Sequence, residues 1–200
     1  MNTSRLDHYY VVSMRKFTVL FIGTMGMYQL YWFYRMFKSM EVVQDRKLLP
    51  ILRTLLSFIF ALGLFNFIYR EERNCENGRE WRPDFLAGVF VGSWAVQMLV
   101  ILGSSSLPAM VYFLIQLLAF FAQFYAVYQV QLAVNRIAKD PFGHVNPRMT
   151  TTNLLWVLFG TFLWADAVLK IYLYQTGRLP NSTIEQPADK LKTSSMPGVL

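Results

Sequence analysis

Five long stretches of this 200-residue chain, 17–34, 54–69, 85–103, 109–134 and 153–169, contain no Lys or Arg and one acid, Asp166. An apolar run of about 18 or more residues can cross a hydrocarbon layer of roughly 30 Å as a helix. Charged residues make up about a quarter of a soluble domain; here they are 16% of the chain. No soluble fold readily accommodates five such runs in so short a sequence. The expected fold class is all-α: a polytopic transmembrane helical bundle of about five spans, 17–36, 49–69, 85–103, 109–134 and 152–174. Residues 1–175 read as one helical domain, and 176–200, rich in Pro, Ser, Thr and Lys, as a mobile polar tail. Asn181-Ser182-Thr183 in that tail matches a glycosylation sequon, a pattern common by chance.

The formal charge of +7 would suit a nucleic-acid partner, but the basic residues flank the apolar runs and form no single patch. Membrane lipids with anionic headgroups are therefore the expected partner, and nucleic acid is not. Cys75 is the only cysteine, so no intrachain disulfide forms and no metal site rests on cysteine spacing. His8 and His144 are the only histidines and have no Cys or carboxylate at ligand spacing. Nucleophile elbow, phosphate loop and dinucleotide fingerprint are all missing. The sequence thus points to a non-enzymatic protein with no cofactor and no metal. Basic residues precede the first apolar segment, as in a secretory signal, but no small-residue cleavage site follows it. It reads as a retained span.

Tyr28, Tyr31, Trp32, Phe33, Tyr34 and Phe37 crowd the end of that segment, ahead of Arg35 and Lys38. At 100° per residue they surround the helix instead of forming one stripe. Rings on all sides of a helix end suit the headgroup boundary, where Tyr and Trp keep a polar tip wet. Tyr28, Tyr31, Trp32, Tyr34 and Arg35 are therefore expected as an interface belt; a ligand or partner groove is the alternative.

Gly88-x-x-x-Gly92 in the third segment and Ala119, Ala122 and Ala126 in the fourth are small residues at helix-packing spacing. Such stripes drive helix association in lipid. The expectation is that the two faces pack on each other, or that Gly88 and Gly92 serve a homo-oligomer or another membrane protein. Gln116, Gln123 and Gln131 share another face of the fourth segment with Tyr112, and Gln97 and Asn66 lie on neighbouring segments. Amides in a bilayer need partners, so a polar seam is expected, either as interhelical glue or as a polar pathway. Asp166 lies near the middle of the fifth segment, with Lys170 one turn later. An intramembrane acid is a functional-site hypothesis by default, yet an i,i+4 pair with the acid first is also a structural arrangement. The first choice is an accessory or scaffold protein; the alternative is a small transporter or channel subunit using the Gln seam and Asp166.

Residues 70–84 hold nine charges of mixed sign and read as a plain hydrophilic connector. With the N-terminus inside, the inner segments carry ten Lys and Arg and the outer ones seven, leaving out Arg53 and Lys170 as snorkelling side chains. That bias places the N-terminus in the cytoplasm.

The run Thr24-Met25-Gly26-Met27-Tyr28-Gln29-Leu30-Tyr31-Trp32-Phe33-Tyr34-Arg35 resembles a Thr-x-Gly-x-Tyr-x-x-Tyr-Trp-Phe-Tyr signature of small bacterial membrane proteins. Val130-Gln131-Leu132-Ala133-Val134-Asn135 looks like a second recurring segment of that family. The resemblance implies a multi-pass helical bundle in the bacterial inner membrane, and it brings no catalytic residues.

Overall fold

Helix boundaries follow local chemistry. Ser13 accepts a hydrogen bond from the Lys16 N–H and so starts α1 (Met14–Gly23). Pro50 and Pro83 open α3 (Pro50–Leu55) and α5 (Pro83–Leu102), where a missing N–H leaves no helical bond unmade. Asp84 adds a carboxylate at the positive end of α5. Asp45 takes a left-handed conformation and ends α2 (Tyr28–Gln44) with its N–H on the Glu41 carbonyl. The others are α4 (Ser57–Arg73), α6 (Ala109–Ile137) and α7 (Thr151–Gln175). This computed structural model describes residues 8–75, 78–103, 107–176 and 178, and among them all regular structure is helical.

Three of the helices are long and apolar enough to cross a membrane: Pro83–Leu102, Met110–Ile137 and Thr151–Leu173. α5 packs along α6 and against α4, while α1 lies between α6 and α7. Phe17 meets Phe124 and Tyr128, and Phe21 meets Phe120 and Phe124, so α1 runs antiparallel to α6. The core gathers around the second half of α6, where Ala126, Val127, Val130, Ala133, Val134 and Ile137 are all buried. Elsewhere the surface is greasy. Leu99, Leu102, Leu118, Leu155 and Phe162 are each more than half exposed.

Several expectations change. The single helix over 17–36 is not formed: α1 stops at Gly23, and Met25 and Gly26 adopt left-handed backbone in a turn before α2. The turn satisfies its own backbone, with Gly26 N–H on the Phe21 carbonyl and Tyr28 N–H on Thr24 Oγ1. The segment 49–69 also breaks, at Leu56, and its helix continues to Arg73. The interface belt is split. Trp32 is fully buried and Tyr28 nearly so, whereas Tyr31 remains exposed. α5 and α6 do pack together, but not through the glycines: space beside Gly88 and Gly92 is open on the outer face of α5. Ala119 and Ala126 are buried, Ala122 partly. Nor is 70–84 a plain connector, because Glu72 is fully buried. Residues 104–106 of the third turn and most of the tail, including the sequon, lie outside the described residues.

Candidate functional site

The polar residues that the fold does bring together lie at one end of the bundle. Residues 8–13 form a segment beside α6 that is neither helix nor strand, turning at 8–9 and extended at Ser13, with Tyr9, Tyr10, Val11 and Val12 buried. A segment without a helix or sheet leaves its N–H and C=O groups to be paired by something else. Apart from the Val11 N–H on the Tyr9 carbonyl and the Ser13 N–H on the Asn146 carbonyl, side chains do it. Gln131 Nε2 donates to the Tyr10 carbonyl (3.1 Å) and to Asn135 Oδ1 (2.7 Å), while its Oε1 accepts from the Trp32 indole N–H (2.6 Å). Asn135 Nδ2 donates to the Val12 carbonyl, and its Oδ1 accepts from the Val12 N–H. Asn146 Nδ2 reaches the Val11 carbonyl, and Ser39 Oγ the His8 carbonyl.

Gly143 makes the close approach of the 138–150 loop possible. Its φ is +70°, and a Cβ there would overlap the backbone of Val12 and Ser13. The same loop is braced by Asp140, whose carboxylate accepts from the Val145 N–H and faces the His144 imidazole. Desolvation raises that carboxyl, but the backbone N–H groups of His144, Val145 and Gly143 outweigh it and hold it below its ordinary range.

A second polar cluster closes this end from the other side. Glu72 takes the Arg136 guanidinium and the Trp81 indole N–H (2.7 Å) on its two oxygens. Tyr9 OH donates to Glu71 nearby. A buried charge needs such partners. Trp81, an aromatic inside a charged run, was the one sign in the sequence that this stretch folds onto the bundle.

Between the extended segment, α1, α2 and the start of α7 lies a cavity of about 880 Å³. Its loop side carries Lys16, Asp140, Asn146 and Thr150; its far side carries Leu20, Met27, Leu30 and Trp156. Tyr10, Tyr28 and Tyr31 form a phenol wall, with the Tyr10 and Tyr28 hydroxyls 3.0 Å apart. Arg35 stacks over the Tyr10 ring, 4.6 Å from its centroid, and donates to Tyr31 OH. Burial pushes the Tyr10 phenol above its ordinary range.

The chain matches no family model, no curated protein and no solved structure.

The predicted site residues scatter. Gln131 joins the clamp, Gln116 bonds Tyr112 within its own helix, and Gln123 is buried. Asn66 bonds Asp84 instead of the glutamines, and Gln97 keeps a buried amide nitrogen without a partner. Asp166 and Lys170 pair at 2.6 Å on the outer face of α7, both more than half exposed. Tyr28, Tyr31 and Arg35 line the cavity, and Tyr34 is partly buried. The two signature runs touch each other through Trp32 and Gln131. Lys16, Asn146 and Glu72 escaped sequence reasoning, since their distant partners are 64 to 135 residues away.

Proposed function

We propose that this chain is a multi-pass protein of the bacterial inner membrane that acts without catalysis, as an accessory or scaffold, through helix–helix and lipid contacts. The observation that carries this reading is the outward face of α5, α6 and α7. Apart from the Asp166–Lys170 pair on α7 it is apolar along all three helices, and a contiguous apolar surface of that size is not stable in water. In this reading α1–α2 and α3–α4 are the two remaining membrane-embedded segments, each broken by a turn, and α2 doubles back on α1: Gly26 lies against the Phe120 ring, whereas Trp32 bonds Gln131 and Ser39 bonds His8. Such breaks are tolerated at membrane depth where they are buried in protein and paired internally, as Thr24 and Gly26 are. Residues 8–13, Trp81 and Asn146 share one end of the bundle. That collects the more basic segments on one side, which the positive-inside rule makes cytoplasmic. The resemblance of the Thr24–Arg35 run supports the bacterial inner membrane.

Fractionation tests the reading. The full chain expressed in bacteria should sediment with membranes and resist extraction with alkaline carbonate, dissolving only in detergent. Recovery of folded, monodisperse protein in a detergent-free supernatant would overturn it.

A further inference from the structure

Lys16 is the outlier among the buried polar groups. It is 5% exposed, and no carboxylate among the described residues pairs with it. Its ammonium has three donors. Two go to neutral oxygens, Asn146 Oδ1 and the Arg148 carbonyl, both at 2.7 Å. Arg35, on the same cavity, likewise has no carboxylate partner among the described residues; it has only Tyr31 OH and the faces of two phenol rings. Arg35 is only partly buried, but burying a cation such as Lys16 without an anion is unfavourable, so the cavity is electrostatically incomplete as it stands.

Its lining is graded as well as charged. The loop side is polar and cationic, and the opposite side, at Leu20, Met27, Leu30 and Trp156, is apolar. Leu30, Tyr31 and Trp156 reach the outer surface as well, each close to half exposed. The mouth is therefore rimmed by side chains suited to acyl chains. The one carboxylate in the lining, Asp140, already accepts from Val145 and faces His144. At about 880 Å³ the space lies within the range of about 300–1,000 Å³ typical of small-molecule sites.

We propose that this cavity binds a phosphate-bearing anion, the headgroup of an anionic lipid whose chain leaves past Leu30 and Trp156. Lys16 and Arg35 hold the phosphate, and of the bonded Tyr10 and Tyr28 hydroxyls the one that accepts from the other donates its own proton to it. The proposal rests on the membrane reading above and names a ligand class for it.

Native mass spectrometry of the full chain released from detergent micelles tests it. The probes are phosphatidylglycerol, zwitterionic phosphatidylcholine and inorganic phosphate. One phosphatidylglycerol per chain should survive, at least about tenfold more retained than phosphatidylcholine. Lys16→Gln and Arg35→Gln should each weaken that retention about tenfold, the effect of one lost charge-assisted hydrogen bond. Lys170→Gln, on the outer face of α7, should leave it unchanged. Arg35→Gln keeps the test open if Lys16→Gln unfolds the loop, because Arg35 holds no backbone group. Failure of millimolar phosphate to displace the lipid supports a lipid source; displacement supports the same site with a soluble phosphate as its occupant. Equal retention of both lipids, or retention indifferent to both variants, overturns the proposal. A chain that still needs detergent in that case leaves the membrane reading standing.

Discussion

Gln131 uses both amide protons and the carbonyl oxygen to hold three parts of the chain together: α2 through Trp32, the extended segment through Tyr10, and its own helix through Asn135. Its surroundings are dry, which raises the stakes of each bond. Replacing it with leucine keeps the volume but strands the Trp32 N–H and the Tyr10 carbonyl. Leaving a buried polar group unpaired costs about 1–3 kcal/mol, so Gln131→Leu should lower stability by about 3 kcal/mol. In a chain of this size that is about 6–12 °C of melting temperature. Thermal unfolding in detergent measures it, and an unchanged midpoint would show that the clamp is not holding the fold. Gln116→Leu, which loses only a bond within its own turn, is the matched comparison and should shift far less.

At the scale of helices, the contact between α1 and α7 depends on one absent side chain. Gly160 is buried, and a Cβ there would overlap the Gly23 carbonyl oxygen and the Thr24 backbone. Backbone against backbone cannot give way as a flexible side chain can. Ile22 and Trp164 confirm the proximity, the indole N–H donating to the Ile22 carbonyl at 2.8 Å. Gly88 and Gly92 present the opposite case: among the described residues, nothing beyond their own helix backbone lies within 4 Å of a Cβ placed there. Gly160→Ala should therefore cost about 2 kcal/mol, the usual scale of overpacking. Gly88→Ala should be neutral or gain up to about 1 kcal/mol from helix propensity. Equal melting shifts for the two variants would contradict the packing described. The comparison also isolates Gly88 as a residue whose value, if any, lies in contacts outside the chain.

For the whole molecule, the clamp and the Glu72 cluster make one end of the bundle far more polar than its flanks. Residues 8–13, the end of α4 and the 138–150 loop are tied there by Asn135, Asn146 and the Arg136–Glu72 pair. Sidedness follows. In a Cys75→Ser background, single cysteines at Arg79 and Phe142 should react with a membrane-impermeant maleimide from the same face of sealed vesicles. A cysteine at Leu107, across α6, should react from the other face. Labelling of Arg79→Cys and Phe142→Cys from opposite faces would break the proposed crossings. Phe142 is 72% exposed, so its reactivity reports access and not burial.

Composition and charge spacing alone determined the helical class, the three long apolar helices and the polar character of the chain between them, because each depends only on neighbours in sequence. The breaks at Thr24–Met27 and Leu56 were less visible: Gly23 and Gly26 sit in the right places for the first, nothing marks the second, and apolar continuity hid both turns. The site was decided by the tertiary structure. A glutamine on a helix reads the same whether it faces Trp32, as Gln131 does, or bonds its own turn, as Gln116 does. Likewise Lys16 looked like a flanking charge and packing buried it, whereas the i,i+4 pair of Asp166 and Lys170 was legible in the spacing and forms on the outer face of α7. Burial and pairing depend on which distant segment arrives, and periodicity carries no record of that.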